Sequence, residues 1–167
     1  PDGSLWLGIS GGGLNALDPA TGKVRAFRAG PPPRGLSTDD VWNVAVDEEG
    51  IAWAATLGGG LNRVDPRTGN VRVFRASDDG LTSDQLRVVL EGRDGALWLG
   101  SAGGGLCRFD RKAETFSCFR NDPDDPGSLS SNVVRAVHEG PTGTLWAGGD
   151  GGIDRLDRAT GRFAHFL

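Results

Sequence analysis

Tryptophan recurs in this chain at a near-constant interval. Trp6, Trp53, Trp98 and Trp146 stand 47, 45 and 48 residues apart, each followed by glycines, an Asp and a Phe at matching distances. A self-similar period of this length restricts the fold to arrays of one small unit, solenoids or propellers, in which neighbours bury what a single unit leaves exposed.

Each unit opens on a Gly-containing turn and a short apolar run: DGSLWLGIS from Asp2, EGIAWAATL from Glu49, DGALWLGSA from Asp94 and TGTLWAGG from Thr142. Such runs bounded by turn residues read as strands. The glycines that follow, at 11–13, 58–60, 103–105 and 151–152, allow a tight reversal. A second strand carries Leu14 and Leu17, Leu61 and Val64, Leu106 and Phe109, Ile153 and Leu156, a spacing suited to a pleated strand. It ends at Asp18, Asp65, Asp110 or Asp157. Three of these lead into DPATG, DPRTG and DRATG, where Asp accepts backbone N–H groups, Pro presets φ and Gly takes the left-handed residue. The third hairpin, DRKAETF, lacks the Gly. A third strand returns with Val24 and Phe27, Val71 and Phe74, Phe116 and Phe119, Phe163 and Phe166.

A polar loop then leads through Leu36-Ser37, Leu81-Thr82 or Leu129-Ser130 to a fourth strand: VWNVAV from Val41, LRVVLE from Leu86, VVRAVHE from Val133. Four antiparallel strands per unit is the count of a propeller blade, and helical periodicity is absent from the pattern. The fold class predicted is all-β: a single propeller segment over 1–167, with blades at about 1–30, 36–76, 81–121 and 129–167. The strand after the polar loop is expected innermost. None precedes Trp6, so the first blade lacks its innermost strand and the Leu5–Ile9 strand has a free edge, which native sheets cover or blunt. A fragment of a larger propeller, or a homo-oligomer partner at that edge, is the expectation.

The composition narrows the function. The net charge is −4 with Arg and Asp spread through every unit, so nothing resembles the basic stripe that neutralises nucleic-acid phosphates. The sequence has no apolar run long enough for a transmembrane helix and no Met, so direct membrane insertion is not expected and the chain reads as excised from something longer. The glycine clusters are turns and not phosphate loops, since no Gly-Lys-Ser/Thr follows. His138 and His165 lie in different strands without zinc-site spacing, so neither a metal nor another cofactor is predicted.

Two sets of residues repeat at positions that can meet a ligand, and Arg34 stands beside them. Trp42, Arg87 and Arg135 occupy one position of the inner strand in successive blades, offering an aromatic platform and two guanidinium forks to a sugar or carboxylate, or else wedging between blades. Just upstream, Asp39, Asp84 and Asn132 are equivalent, and either bind ligand hydroxyls or cap the turn. Arg34 follows a stiff Pro31–Pro33 connection. The long loops at 29–40, 76–84 and 121–131 are expected on the face of the glycine turns, and that face is the predicted binding surface. Finally, Cys107 and Cys118 should face each other across their hairpin, which permits a disulfide; two buried thiols are the alternative.

With DGALWLGSAGGGLCRFD at 94–110 and SLSSNVVRAVHEGPTGTLWAG at 128–148 as the nearest copies, the chain resembles the two-component regulator propeller repeats, and all four units take part. The resemblance implies the extracytoplasmic, periplasmic sensor region of a bacterial hybrid histidine kinase, a non-catalytic module for signal transduction that binds a small molecule or oligosaccharide. Two alternatives stand beside it. One is a purely structural scaffold. The other is a lyase-type propeller enzyme resembling virginiamycin B lyase, for which His138 and Glu139 are the available acid–base pair; as strand neighbours they point to opposite faces.

Overall fold

The computed structural model describes residues 3–166; the opening turn at Asp2 and the outermost ends of the first and fourth units, at 1 and 167, lie outside the described residues. The chain forms a row of four antiparallel sheets. The first contains β1 (Leu5–Ile9), β2 (Gly13–Leu17) and β3 (Val24–Phe27) in that order. The second contains β4 (Val41–Val46), β5 (Ala52–Thr56), β6 (Gly60–Val64) and β7 (Val71–Phe74). The third runs through β8 (Leu86–Glu91), β9 (Leu97–Ser101), β10 (Leu106–Asp110) and β11 (Thr115–Phe119), and the fourth through β12 (Val134–Glu139), β13 (Leu145–Gly149), β14 (Gly152–Asp157) and β15 (Arg162–Phe166). Among the described residues there is no helix. These are propeller blades, the first with three strands, and β1 pairs with β2 along one edge only.

The inner strand of the fourth blade starts one residue later than its sequence suggests. Val133 forms a lone bridge with Ala102 of the preceding blade, which ties the two blades together before the ladder with β13 begins at Val134.

Turn chemistry follows the repeat. Gly60 has φ +72°, and a Cβ there would lie 2.2 Å from the Phe74 carbonyl oxygen, so positive φ and lack of a side chain are both required. In the hairpin without glycine, Glu114 takes the left-handed conformation itself, at φ 52°.

The core lies between blades. Every blade packs a Trp on a Phe two strands away: Trp6–Phe27, Trp53–Phe74, Trp98–Phe119 and Trp146–Phe166, with ring centroids 5.4–6.3 Å apart. This pair, with the Leu or Ile that begins the Gly-bounded strand, makes a trailing face that covers the leading face of the next blade. Trp53, Leu61 and Phe74 thus bury Leu97, Leu99 and Phe109 in one cluster. Trp6, Leu14 and Phe27 do the same to Ala52, Ala54 and Val64, and Trp98 and Leu106 to Leu145, Ala147 and Leu156.

Polar links repeat along with the core. The carbonyl of Asp39 accepts Gly13 N–H, that of Asp84 accepts Gly58 and Gly60, and that of Asn132 accepts Gly103 and Gly105, so each blade clasps the glycine turn before it. On the opposite rim, Arg111 pairs with Asp47 of blade two at 2.7 Å and with Glu91 at 2.9 Å, and Arg158 pairs with Glu139 at 2.9 Å. The middles of two long loops lie along the next blade's outermost strand, where Val71 N–H donates to Pro33 O and Phe163 N–H to Gly127 O. Those loops therefore also cover sheet edges that would otherwise be open.

Candidate functional site

The three full inner strands share an irregularity that the repeat does not announce. Pairing slips between Val41 and Asn43, between Leu86 and Val88, and between Val134 and Ala136. The extra residue is Trp42, Arg87 or Arg135. A bulge leaves its residue out of the ladder and re-aims the side chain, so the equivalent positions found in the sequence are the ones the backbone sets apart.

These side chains meet in a line. Arg87 lies over the Trp42 ring, 4.9 Å from its centroid, and the buried Nε of Arg87 has no hydrogen-bond partner among the described residues. Arg135 Nε donates to Asp150 Oδ1 at 2.7 Å. That hydrogen bond holds the Asp150 carboxyl below the usual carboxylate range, and the charges of Arg135 and Arg87 act in the same direction. Asp150 was not singled out by its place in the sequence, because the glycine turn it belongs to carries no acid in the other blades. Trp42 is 45 % exposed. The other large exposed apolar side chains, Leu5, Leu7, Ile9, Val24, Ile153 and Phe166, lie on the two end blades.

The upstream set is occupied with backbone. Asp39 Oδ1 accepts the N–H of Ala29 at 2.7 Å, Asp84 Oδ1 that of Ala76 at 2.8 Å, and Asn132 Oδ1 that of Asn121 at 2.9 Å. Each residue thus closes its loop with the side chain and clasps the preceding blade with its carbonyl. Arg34 is exposed beside the loop turn that its own N–H closes onto Pro31 O at 3.4 Å, and it is not brought to the Trp42 line.

Glu139 is 5 % exposed at its side chain; it pairs with Arg158 and accepts the Arg93 N–H at 2.8 Å. Its neighbour His138 is exposed on the other face of β12. Cys107 and Cys118, directly opposed in the β10–β11 register, form a disulfide. Among the described residues no group of three or more His, Cys, Asp or Glu could hold a metal ion.

A cleft of about 430 Å³ lies at the far end of the inner strands, between Trp6 and Ser4 of the first blade and Val44, Val46, Asp47, Glu48 and Glu91. It follows the free edge of β1. Burial pushes the Glu91 carboxyl above its ordinary range, with Arg111 opposing and Asp47 adding to the rise. None of the bulge residues reaches it.

No family model matches the chain, and no curated protein does. Solved structures do match. The extracellular domain of a B. thetaiotaomicron protein described as a hybrid two-component system superposes with a TM-score of 0.82 at 24 % identity, over 96 % of this chain and 21 % of its own length. The chain has that fold. A second extracellular domain from the same organism, described as part of a one-component system, superposes with a TM-score of 0.77 at 18 % identity, over 98 % of this chain and 23 % of its own. PorZ, a surface component of the type-IX secretion system of Porphyromonas gingivalis, gives 0.69 at 21 % identity, over 96 % and 24 %. The propeller segment described here therefore spans between a fifth and a quarter of the length of these structures.

Within the propeller segment, the links that sequence did not suggest are those between distant residues. Arg111 with Asp47 and the Val89 N–H on Asn43 Oδ1 at 3.0 Å join residues 64 and 46 positions apart. The one available signal was Arg at positions 111 and 158, where the first two units have Pro19 and Pro66.

Proposed function

We propose that the chain is a non-catalytic sensing module, part of the extracytoplasmic and periplasmic region of a bacterial two-component regulator, and that it binds an oligosaccharide fragment along the line Trp42, Arg87, Arg135. The observation that carries this is Trp42. Apart from the residues on the two end blades it is the large apolar side chain left in solvent, and it stands at a bulge beside the matching bulges of the next two blades. An aromatic face, guanidinium forks and the Asp150 carboxylate are the groups that stack on a sugar ring and bond its hydroxyls.

The two extracellular domains of B. thetaiotaomicron support the sensing role and the location outside the cytoplasm. The engagement of Glu139 by Arg158 and Arg93 counts against the lyase alternative, because a general acid or base has to be free to meet a substrate. On this reading Asp39, Asp84 and Asn132, whose side chains accept loop N–H groups, support the binding surface and do not contact the ligand.

A thermal-shift screen of the whole chain against a panel of oligosaccharides, neutral and acidic, tests the reading. At least one should raise the melting temperature, with no turnover, and Trp42→Ala and Arg135→Ala should each weaken that ligand at least about tenfold. A panel without a shift, or a shift untouched by both variants, favours the scaffold. Turnover lost in His138→Ala favours the lyase.

A further inference from the structure

The outermost strands of blades two, three and four are held in two different ways. The loop that leads into each blade is closed by a side chain, Asp39 on the Ala29 N–H, Asp84 on Ala76 and Asn132 on Asn121, and the paired residues stand 10, 8 and 11 positions apart. The two longer loops reach the outermost strand of their blade, setting Pro33 O on the Val71 N–H and Gly127 O on the Phe163 N–H. The second of them adds the Arg162–Asp125 ion pair and the contact of Pro126 O with His165 Nε2. The shorter loop does not reach β11. By register Phe116 is the counterpart of Val71 and Phe163, and its N–H meets no loop carbonyl among the described residues. Blade three lies inside the row, packed between blades two and four, so the reach of the loop decides this and not the end of the row. Of the three hairpins, the one without a loop across it is the one that carries the disulfide, Cys107–Cys118.

We propose that this disulfide is a redox-cleavable strap in place of the loop, and that its reduction by a dithiol lets β11 open from blade three. A thiolate of the dithiol attacks Sγ of Cys118, the half-buried partner, since Cys107 is only 2 % exposed. The S–S bond breaks and Cys107 leaves as a thiolate, with the Thr82 hydroxyl 3.1 Å away to donate to it. The second thiol of the reductant then displaces Cys118. The dithiol ends as a disulfide, and its two protons end on the two cysteines. β11 is then bonded along one edge, to β10 alone, and such a strand opens more readily than the whole domain unfolds. Its Phe116 packs on Phe109 and Phe74 with ring centroids 4.5 and 6.2 Å apart, so opening uncovers two fully buried rings in the seam between blades two and three. The redox state of one hairpin therefore governs how tightly two blades are sealed.

Hydrogen exchange read by mass spectrometry on the whole chain, with and without dithiothreitol, tests this. On reduction the amides of β11 should lose protection by at least about tenfold, while those of β7 and β15, held by their loops, should change by less than about twofold. The double variant Cys107→Ala with Cys118→Ala should show the loosened β11 without reductant and no further response to it. Unchanged exchange in β11 on reduction of the wild type overturns the proposal. A loss of protection shared equally by β7, β11 and β15 overturns it as well, because the disulfide then stabilises the whole chain and is no strap for one strand.

Discussion

Asp154 and His165 face each other across β14 and β15 with Oδ1 and Nδ1 2.5 Å apart, at the register position that Cys107 and Cys118 hold one blade earlier. The two earlier blades fill it with Asn15 opposite Ala26 and Asn62 opposite Val73. In three blades the position meets the Ser or Thr of the loop that leads into the same blade's inner strand: Asn62 accepts the Ser37 N–H, Thr82 Oγ1 lies 3.1 Å from Cys107 Sγ, and Asp154 accepts the Ser130 hydroxyl at 2.7 Å.

The His165–Asp154 pair makes stability depend on pH. Nδ1 faces Asp154 and Nε2 lies 2.9 Å from the Pro126 carbonyl, so both nitrogens meet acceptors and the doubly protonated ring fits best. The bond to Asp154, then that to Pro126, raises the His165 pKa in the folded state. A raised folded value means the stabilisation is complete below the unfolded pKa of about 6.5 and is lost as pH climbs through the folded one. Urea melts from pH 5 to 9 should show this decline, and His165→Asn should flatten it. The neighbouring Asp125 carboxyl, held below its ordinary range by the Gly127 N–H and then by the hydrogen bond from Arg162, stays ionised over that range and serves as a constant background. A proton-resonance titration reads the same event directly, with His138 as the second histidine signal.

The disulfide should be present in the purified protein. Thiol counting on the unfolded, unreduced chain should find none free, and reduction should release both. Closing a loop between cysteines 11 positions apart contributes about 3 kcal/mol in the chain-entropy account. Cys107→Ala with Cys118→Ala should lower the unfolding free energy by roughly that amount.

Gly58 and Gly60 share a positive φ and differ in space. A Cβ at Gly58 meets nothing within 4 Å, so Gly58→Ala should cost about 1 kcal/mol, the left-handed penalty alone. A Cβ at Gly60 strikes the Phe74 carbonyl, so Gly60→Ala should cost more than about 3 kcal/mol. Parallel denaturant melts of the two variants check the ranking.

Trp53 and Trp98 repeat in sequence and differ in partners. Trp53 Nε1 donates to the buried Asp47 at 2.8 Å, whereas Gly92 stands at the corresponding position beside Trp98, whose Nε1 is buried without a partner among the described residues. Trp53→Phe should therefore be about 2 kcal/mol more costly than Trp98→Phe, since it also strips a buried carboxylate of a donor. Equilibrium urea unfolding of both variants measures the difference.

The candidate site was partly legible. The equivalence of Trp42, Arg87 and Arg135 follows from counting back along three copies of one strand, and their presence on inner strands follows from the strand order. The bulges do not follow from it. An alternating run such as VWNVAV reads as a regular strand, and only the pairing with Ala55 and Thr56 shows that Trp42 is surplus. The capping by Asp39, Asp84 and Asn132 was one of two readings open to the sequence, because a loop-end carboxylate or amide suits a ligand and a backbone N–H equally well. Asp150 had no counterpart in the other blades to draw attention to it.

By itself the sequence determined the unit: four strands, their turns, the three-stranded first blade and the facing of Cys107 and Cys118, all set by local spacing along one hairpin or the next. The tertiary structure alone decided which surfaces stay in water and which charges meet. Leu7 and Leu99 occupy the same place in their units, yet one is 43 % exposed and the other buried, because exposure depends on whether a neighbouring blade is present and no single unit encodes that.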